Sequence, residues 1–260
     1  MIKVAAIQFA SMLSQADINR QKAAKLIGEA ADQGGCLVVL PEFWLTGFEV
    51  GSIARQAETM RGATVGMLRR IARQKSVFIV GGSMAEKRDN RLYNTIVAVD
   101  ENGEIAAKYR KAHLHPEEEE SVFSPGDDWV LANYGGCELG FLNCYDIYFP
   151  EFARNIILRG AQLLIIPIKA NESINEMRLL ARARAVENSC HVIMVNQAQE
   201  QGAGHSLIIA PDGSILAEAG QDEEILLMEL DILNNIDLQR KQSFLNRRRN
   251  ILDEIDNSQL

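Results

Sequence analysis

Residues 139–151 read Leu-Gly-Phe-Leu-Asn-Cys-Tyr-Asp-Ile-Tyr-Phe-Pro-Glu, an apolar run that ends at Cys144. The run predicts a buried strand, and the Pro-Glu pair predicts a helix over residues 152–159. Cys144 is therefore expected on a strand-to-helix turn, where a side chain faces a cleft and the helix N-terminus favours a thiolate. Glu42 and Lys111 also directly follow predicted strands. The three side chains are therefore candidates for one site at the strand ends.

Strand and helix signals alternate along all 260 residues without a linker, a repeat or a composition break. Hydrophobic periodicity predicts helices over residues 16–32, 53–74 (interrupted or weakened at Gly62 and Gly66), 152–159, 174–188 and 233–242. It predicts strands over residues 2–9, 36–40, 77–83, 91–99, 104–109, 129–133, 138–143, 163–167, 191–196, 206–210, 214–219 and 224–231.

This order of elements does not fit a dinucleotide-binding fold. No GxGxxG follows the first strand, and several hairpins interrupt the alternation of strands and helices. Many strands with helices outside them, in a chain of this length, favour two sheets packed face to face with helices covering both. The sequence therefore predicts a single α/β domain.

Composition excludes several kinds of partner. The formal net charge of −8 disfavours nucleic acid and anionic membranes. No apolar run approaches the roughly 18 residues of a membrane-spanning helix, and the first residues read as a strand rather than a signal peptide. We therefore expect a cytoplasmic protein.

The four cysteines, Cys36, Cys137, Cys144 and Cys190, lack the paired spacing of a disulfide framework. The histidines show no metal-binding spacing either, so no metal site is predicted. A lone buried cysteine is usually an inert, small apolar residue. We interpret Cys36, Cys137 and Cys190 in that way and keep Cys144 as the candidate nucleophile.

Three short motifs in order carry a family resemblance. They are Val-Val-Leu-Pro-Glu (38–42) with Leu-Thr-Gly-Phe (45–48), Tyr-Arg-Lys-Ala-His-Leu (109–114), and Asn-Cys-Tyr-Asp (143–146) with Phe-Pro-Glu (149–151). Together they resemble the catalytic signatures of the nitrilase superfamily of carbon–nitrogen hydrolases, in its small-amidase or omega-amidase-like branch. The resemblance implies a four-layer α-β-β-α sandwich over residues 1–243, a Glu-Lys-Cys triad, and no metal or organic cofactor.

Chemistry explains why these three residue types belong together. A thiol is mostly protonated at neutral pH and needs a base or a cation to react, and Glu42 is the candidate base. Lys111, helped by the backbone N–H of Tyr145, would stabilise the negative charge on the carbonyl oxygen. Water would then hydrolyse the thioester on Cys144. Asp146 is expected to hold the nucleophile turn through backbone hydrogen bonds.

The resemblance also implies a second glutamate, four residues before Phe123. This spacing selects Glu119, which would orient Lys111 and help to place substrate. The run of four glutamates at residues 117–120 leaves Glu118 and Glu120 open as alternatives. The other members of the run are expected to be solvated, as charge runs usually are.

Candidate substrate-binding residues follow two strand ends: Tyr145 and Tyr148 after one, and Lys169 and Asn171 after another. Lys169 or Asn171 is expected to contact a polar or carboxylate-bearing substrate. The alternative for Lys169 is an exposed side chain in solvent, where most lysines lie.

The predicted activity is hydrolysis of a small linear amide or carbamoyl compound to an acid and ammonia. Nitrile hydrolysis, acyl transfer to an amine, and a non-catalytic ligand-binding protein remain the alternatives. The resemblance further implies a homodimer or a higher homo-oligomer, and the polar C-terminal tail (residues 244–260) is expected to reach a partner subunit.

Overall fold

Two six-stranded sheets form the centre of the fold in a computed structural model, which describes residues 1–116, 119–232 and 244–247. The strands are β1 (Ile2–Gln8), β2 (Leu37–Val39), β3 (Phe78–Arg88), β4 (Arg91–Val99), β5 (Ile105–Arg110), β6 (Leu131–Tyr134), β7 (Cys137–Phe141), β8 (Leu163–Pro167), β9 (His191–Val195), β10 (Leu207–Ile209), β11 (Ile215–Glu218) and β12 (Glu224–Leu230). The helices are α1 (Ala16–Asp32), α2 (Val50–Arg55), α3 (Ala63–Lys75), α4 (Pro150–Leu158) and α5 (Ile174–Asn188).

Each sheet combines a parallel centre with antiparallel edges. The first sheet has the order β12-β1-β2-β3-β4-β5, with β1, β2 and β3 parallel. The second has the order β11-β10-β9-β8-β7-β6, with β7, β8 and β9 parallel. Parallel neighbours end at the same edge of their sheet, so the segments that follow β7 and β8 lie side by side. The segment that follows β2 meets them across the sheets, where the Glu42 N–H donates to the Ile168 carbonyl.

Three apolar cores separate four layers. One core lies between the sheets and includes Val4, Phe78 and Ile165. A second joins the outer face of the first sheet to α1 and α3, and a third joins the second sheet to α4 and α5. The predicted α-β-β-α sandwich is therefore confirmed.

Apolar side chains on both faces explain why the central strands form. All five residues of β8 are buried, because helices cover one face of this strand and the other sheet covers the opposite face. The helix after the nucleophile begins at Pro150, whose fixed φ and missing N–H suit a first helical position. That start lies two residues before the predicted one.

The helix predicted over residues 53–74 is interrupted, and the chain forms α2 and α3. Between them, the backbone of Glu58 hydrogen-bonds to β3, donating to the Ala85 carbonyl at 3.0 Å and accepting from the Lys87 N–H at 2.7 Å. A segment paired with a strand cannot continue a helix. Gly62 then precedes the first turn of α3, whereas Gly66 lies inside α3 without interrupting it.

The predicted helix over residues 233–242 lies outside the described residues. So does most of the C-terminal tail, in which a short 3₁₀ helix (Phe244–Arg247) is described. No helix in the described part of the chain combines the length and the apolar character that crossing a bilayer requires.

Candidate active site

A cavity of about 350 Å³ opens where strand ends of the two sheets meet. The predicted residues Glu42, Lys111, Glu119 and Cys144 all lie in its wall. The full set of described lining residues is Glu42, Phe43, Phe48, Lys111, His115, Glu119, Cys144, Tyr145, Tyr148, Lys169, Ala170, Asn171, Glu172, Ser173 and Met177. Both sheets therefore contribute to one cleft.

Lys111 lies between two buried carboxylates. Its Nζ is 3.0 Å from Glu42 Oε1 and also donates to Glu119 Oε2. All three residues are about 2% exposed. Of the two described members of the acidic run, Glu119 enters the site and Glu120 is exposed.

The amide of Asn94, on β4, connects the two carboxylates. Its Nδ2 donates to Glu42 Oε1 at 2.9 Å and to Glu119 Oε1 at 2.7 Å. Asn143, the residue before the nucleophile, donates in turn from Nδ2 to Asn94 Oδ1 at 2.9 Å. Neither asparagine was predicted as a site residue, although a polar residue within or directly after an apolar run was a usable signal.

Glu42 is positioned by close backbone packing beneath it. Its N–H donates to the Ile168 carbonyl across the sheets at 3.3 Å, and its carbonyl accepts from Gln197 Nε2 at 2.7 Å. Gly82 has φ +60°, and a Cβ there would lie 2.0 Å from the carbonyl oxygen of Pro41. Only glycine allows this approach, because any side chain would displace the segment that carries Glu42.

A short 3₁₀ helix (Cys144–Tyr148) separates β7 from α4, so the nucleophile turn is longer than the simple strand-to-helix turn expected. Cys144 occupies the left-handed region at φ +50°, a strained conformation for a non-glycine residue. The buried Asp146 carboxylate holds the turn by accepting from the Asn143 N–H at 2.8 Å and from the Tyr109 hydroxyl at 2.6 Å. These contacts are those expected of Asp146.

The surroundings of Cys144 disfavour the thiolate that the helix N-terminus was expected to favour. Burial, and then the nearby charge of Glu42, raise the pKa of the thiol well above its usual value. Burial likewise raises the pKa of Glu42, against the opposing charge of Lys111. Burial alone would lower the pKa of Lys111, but the charges of Glu42 and Glu119 outweigh it and raise that pKa. The Cys144 thiol thus lies beside a carboxylate and a buried lysine, and its raised pKa disfavours loss of its proton unless a base accepts it.

The four predicted substrate-binding residues all line the cavity. Lys169 is half-buried rather than in open solvent, with Nζ 5.2 Å from the centre of the Phe48 ring. It makes no ion pair with any residue that the structure describes. Burial, followed by a hydrogen bond to Glu176, raises the pKa of Tyr148 to about 12, so its hydroxyl stays neutral.

The lining also includes residues that were not predicted, among them His115 and Phe48. The His115 N–H donates to Glu119 Oε2 at 2.9 Å, and its ring packs edge-on against Tyr145 at 5.1 Å between centroids. No group of three or more His, Cys, Asp or Glu side chains suited to a metal ion occurs among the described residues.

Comparison with known proteins identifies the family. The sequence profile of the carbon-nitrogen hydrolase family matches residues 3–237, nearly the whole chain. The chain belongs to the carbon–nitrogen hydrolase family. This hydrolase is 31% identical over 265 residues to "Omega-amidase NIT2" of Bos taurus, covering 96% of this chain and 95% of the relative. It is 33% identical over 235 residues to "2-oxoglutaramate amidase" of Bacillus subtilis (strain 168), covering 88% and 90%.

Solved structures agree with this assignment. The crystal structure of Saccharomyces cerevisiae Nit3, a member of branch 10 of the nitrilase superfamily, superposes with a TM-score of 0.89 at 30% identity, covering 95% of this chain and 96% of the other. A variant of the amidase from Nesterenkonia sp. AN1, in which acrylamide has added to the active-site cysteine, gives 0.83 at 28% identity, covering 95% and 99%. This nitrilase-superfamily hydrolase is therefore an amidase that cleaves amide C–N bonds by means of a cysteine.

Proposed function

We propose that this hydrolase cleaves the terminal amide of a small linear molecule to a carboxylic acid and ammonia, through a thioester on Cys144. The observation that carries the proposal is the buried ion group formed by Glu42, Lys111 and Glu119 beside the thiol, inside a cavity of about 350 Å³. This volume suits a small molecule rather than a polypeptide.

Glu42 acts first as the base. It takes the proton from the Cys144 thiol as the sulfur attacks the amide carbon, so the thiolate forms only in the presence of substrate. The raised pKa values of both groups, caused mainly by burial, favour this coupled transfer over a permanent ion pair. The proton on Glu42 then passes to the amide nitrogen, and ammonia leaves.

Lys111 and the N–H of Tyr145 stabilise the oxyanion of the tetrahedral intermediate. Tyr145 is the second residue of the 3₁₀ helix, so its N–H has no partner within that helix. Glu119 holds the Lys111 ammonium by a hydrogen bond. Preorganised donors of this kind cost no reorganisation during the reaction.

Water completes the cycle. Glu42 takes a proton from the water that attacks the thioester carbon, and the carboxylic acid is released as the C–S bond breaks. The same proton then returns to the Cys144 sulfur. Every proton transfer is carried by Glu42, so the reaction needs no metal ion or organic cofactor.

We further propose that the favoured substrate carries a carboxylate at the end opposite the amide. Lys169 supports this choice, because its half-buried ammonium lines the cavity and has no acidic partner among the described residues. Asn171 lies on the same side and offers a second donor. The names of the relatives, omega-amidase and 2-oxoglutaramate amidase, are consistent with a monoamide of a dicarboxylic acid.

A panel of substrates tests the reaction class. Amides, carbamoyl compounds and nitriles of matched size are each incubated with the enzyme, and ammonia release is followed with and without hydroxylamine. We expect turnover of primary amides, with hydroxamate formed in competition with the acid because both nucleophiles attack one thioester. Turnover of nitriles alone would replace the proposal with nitrile hydrolysis, and product formed only with added amines would replace it with acyl transfer. No turnover of any compound would favour a ligand-binding protein.

The variant Lys169→Met tests the substrate preference. Succinamic acid and butyramide share a four-carbon chain and differ in having a carboxylate or a methyl group at the far end. We expect KM for succinamic acid to rise by about 10-fold or more, since hydrogen bonds to charged groups contribute about 1.5–3 kcal/mol. KM for butyramide should stay within about twofold, since this substrate has no charge for Lys169 to bind.

Lys87→Met, at an exposed position of β3, serves as the matched control and should leave both KM values unchanged. Equal changes for the two substrates in Lys169→Met would contradict a charge-specific contact.

We propose a homodimer or higher homo-oligomer formed through α4 and α5. Leu158, Leu179 and Val186 on these helices are 43%, 66% and 46% exposed, which is high for large apolar side chains. We also propose that the tail over residues 244–260 contributes to the contact between subunits. We further propose a cytoplasmic location. Sedimentation of the full chain measures the oligomeric state directly.

A further inference from the structure

Asn143 makes a side-chain contact that the mechanism above does not use. It is fully buried, immediately before Cys144, and its Nδ2 donates to Asn94 Oδ1 at 2.9 Å. Asn143 belongs to the second sheet's side of the cleft, whereas Asn94 lies on β4 of the first sheet. The contact therefore joins the nucleophile turn to the strand beneath the two glutamates.

The chemistry of the contacts fixes the orientation of both amides. Ionised carboxylates only accept hydrogen bonds, so the group of Asn94 that faces Glu42 and Glu119 has to be its NH₂. The carbonyl oxygen of Asn94 then faces Asn143, and the group that meets it has to be a donor. Asn143 supplies that donor, which disfavours rotation of the Asn94 amide away from the carboxylates.

We infer that Asn143 is a positioning residue, which acts through Asn94 to keep the Glu42 carboxylate oriented and ionised beside the nucleophile. The inference deepens the proposed function, because it rests on Glu42 being the catalytic base. In this role the buried side chain of Asn143 couples the part of the site that carries Cys144 to the part that carries Glu42.

The charged and titratable groups around Glu42 come from several elements. Lys111 follows β5, Glu119 lies in the loop beyond it, and Cys144 begins the 3₁₀ helix. Tyr145, His115 and Lys169 line the same cavity. Asn94 is the neutral donor that Glu42 and Glu119 share, so losing its N–H groups disfavours the ionised form of Glu42.

Two measurements test the inference. The first is the acid limb of the pH profile of kcat/KM, and the second is the pH dependence of Cys144 alkylation by iodoacetamide, followed by mass spectrometry. Asn94→Leu is expected to move the acid limb to higher pH by about 1–2 units, since a hydrogen bond to a charged group contributes about 1.5–3 kcal/mol. Asn143→Leu should move it in the same direction by at least about 0.5 unit. The double variant should match Asn94→Leu alone, because Asn143 then has nothing to orient.

Thr95→Val is the matched control. Thr95 is the next residue on β4 and also donates a buried hydrogen bond to a carboxylate, at 2.9 Å to Glu86 Oε2, outside the described cavity lining. This variant should lower thermal stability without moving the acid limb. If Asn143→Leu likewise lowers thermal stability without moving the acid limb, the role of Asn143 is purely structural and the inference is overturned. Shifts of the acid limb that add in the double variant would also overturn it.

Asn143→Ala repeats the test with a smaller side chain where the leucine variant does not fold. The variant Glu42→Gln separates this inference from the proposed function. If Glu42→Gln retains the acid limb, Glu42 is not the base and the proposed function fails. If Glu42→Gln loses the limb while the Asn143 variants keep it unmoved, only the positioning by Asn143 fails.

Discussion

Cys144→Ala is expected to lower kcat by at least about 10⁴-fold, the scale on which removal of a catalytic nucleophile acts. No other thiol replaces it, because Cys144 is the cavity's cysteine among the described lining residues. Incubation of the wild-type enzyme with a slowly hydrolysed amide should give an intact mass increased by the acyl group. The same incubation of Cys144→Ala should give no increase.

Cys36→Ala is the control for this experiment, since Cys36 is exposed and does not line the cavity. It should retain wild-type turnover and form the same acyl adduct. If Cys144→Ala kept full turnover, the assignment of the nucleophile would be wrong. An adduct that persists in Cys144→Ala would place the acyl group on another residue.

Lys111→Met is expected to affect both stability and activity. It leaves Glu42 and Glu119 buried without their cation, and removal of one partner from a buried ion pair costs about 3–5 kcal/mol in the free energy of unfolding. Loss of the oxyanion donor should also lower kcat, by about 10²–10³-fold. Urea denaturation and initial rates of ammonia release measure the two effects separately.

The double variant Lys111→Met, Glu119→Gln distinguishes the two effects of Lys111. Removing one carboxylate relieves the repulsion with Glu42, so most of the lost stability should return. Activity should not return, because the oxyanion donor is still absent. Recovery of both together would show that Lys111 acts on the fold alone, and failure to recover stability would place the destabilisation outside the ion group.

Glu42 and Cys144 were predictable because each follows a strand, β2 or β7, that is a clear apolar run. Lys111 follows β5, an edge strand paired antiparallel with β4, and carries a weaker local signal. These three strands are not neighbours in one sheet, so their ends meet only when the two sheets pack together. The register of Glu119 was harder, since four identical residues carry no local signal. Its position depends on which carboxylate reaches Lys111, a contact between segments that only the folded chain reveals.

Other features depend on tertiary context and were beyond local patterns. The break between α2 and α3 arises from pairing of Glu58 with β3, a strand that begins some twenty residues later. The raised pKa of Cys144 arises from burial and from the charge of Glu42, neither of which can be read from the residues that precede a helix. Local signals predicted where the side chains lie, whereas their ionisation depends on what surrounds them.

The division of the catalytic groups between two sheets has a consequence for synthesis of the chain. Glu42 and Lys111 extend from the first sheet and Cys144 from the second, and the first sheet is complete only when β12 pairs with β1. A nascent chain that lacks residues 224–230 leaves β1 unpaired on one side and lacks Leu226 and Leu230 in the core between the sheets, so we expect it not to hold the thiol beside its base. Amidase activity should appear only when the sandwich closes, so a ribosome-bound or proteolysed fragment should be chemically inert towards the amides of the cell.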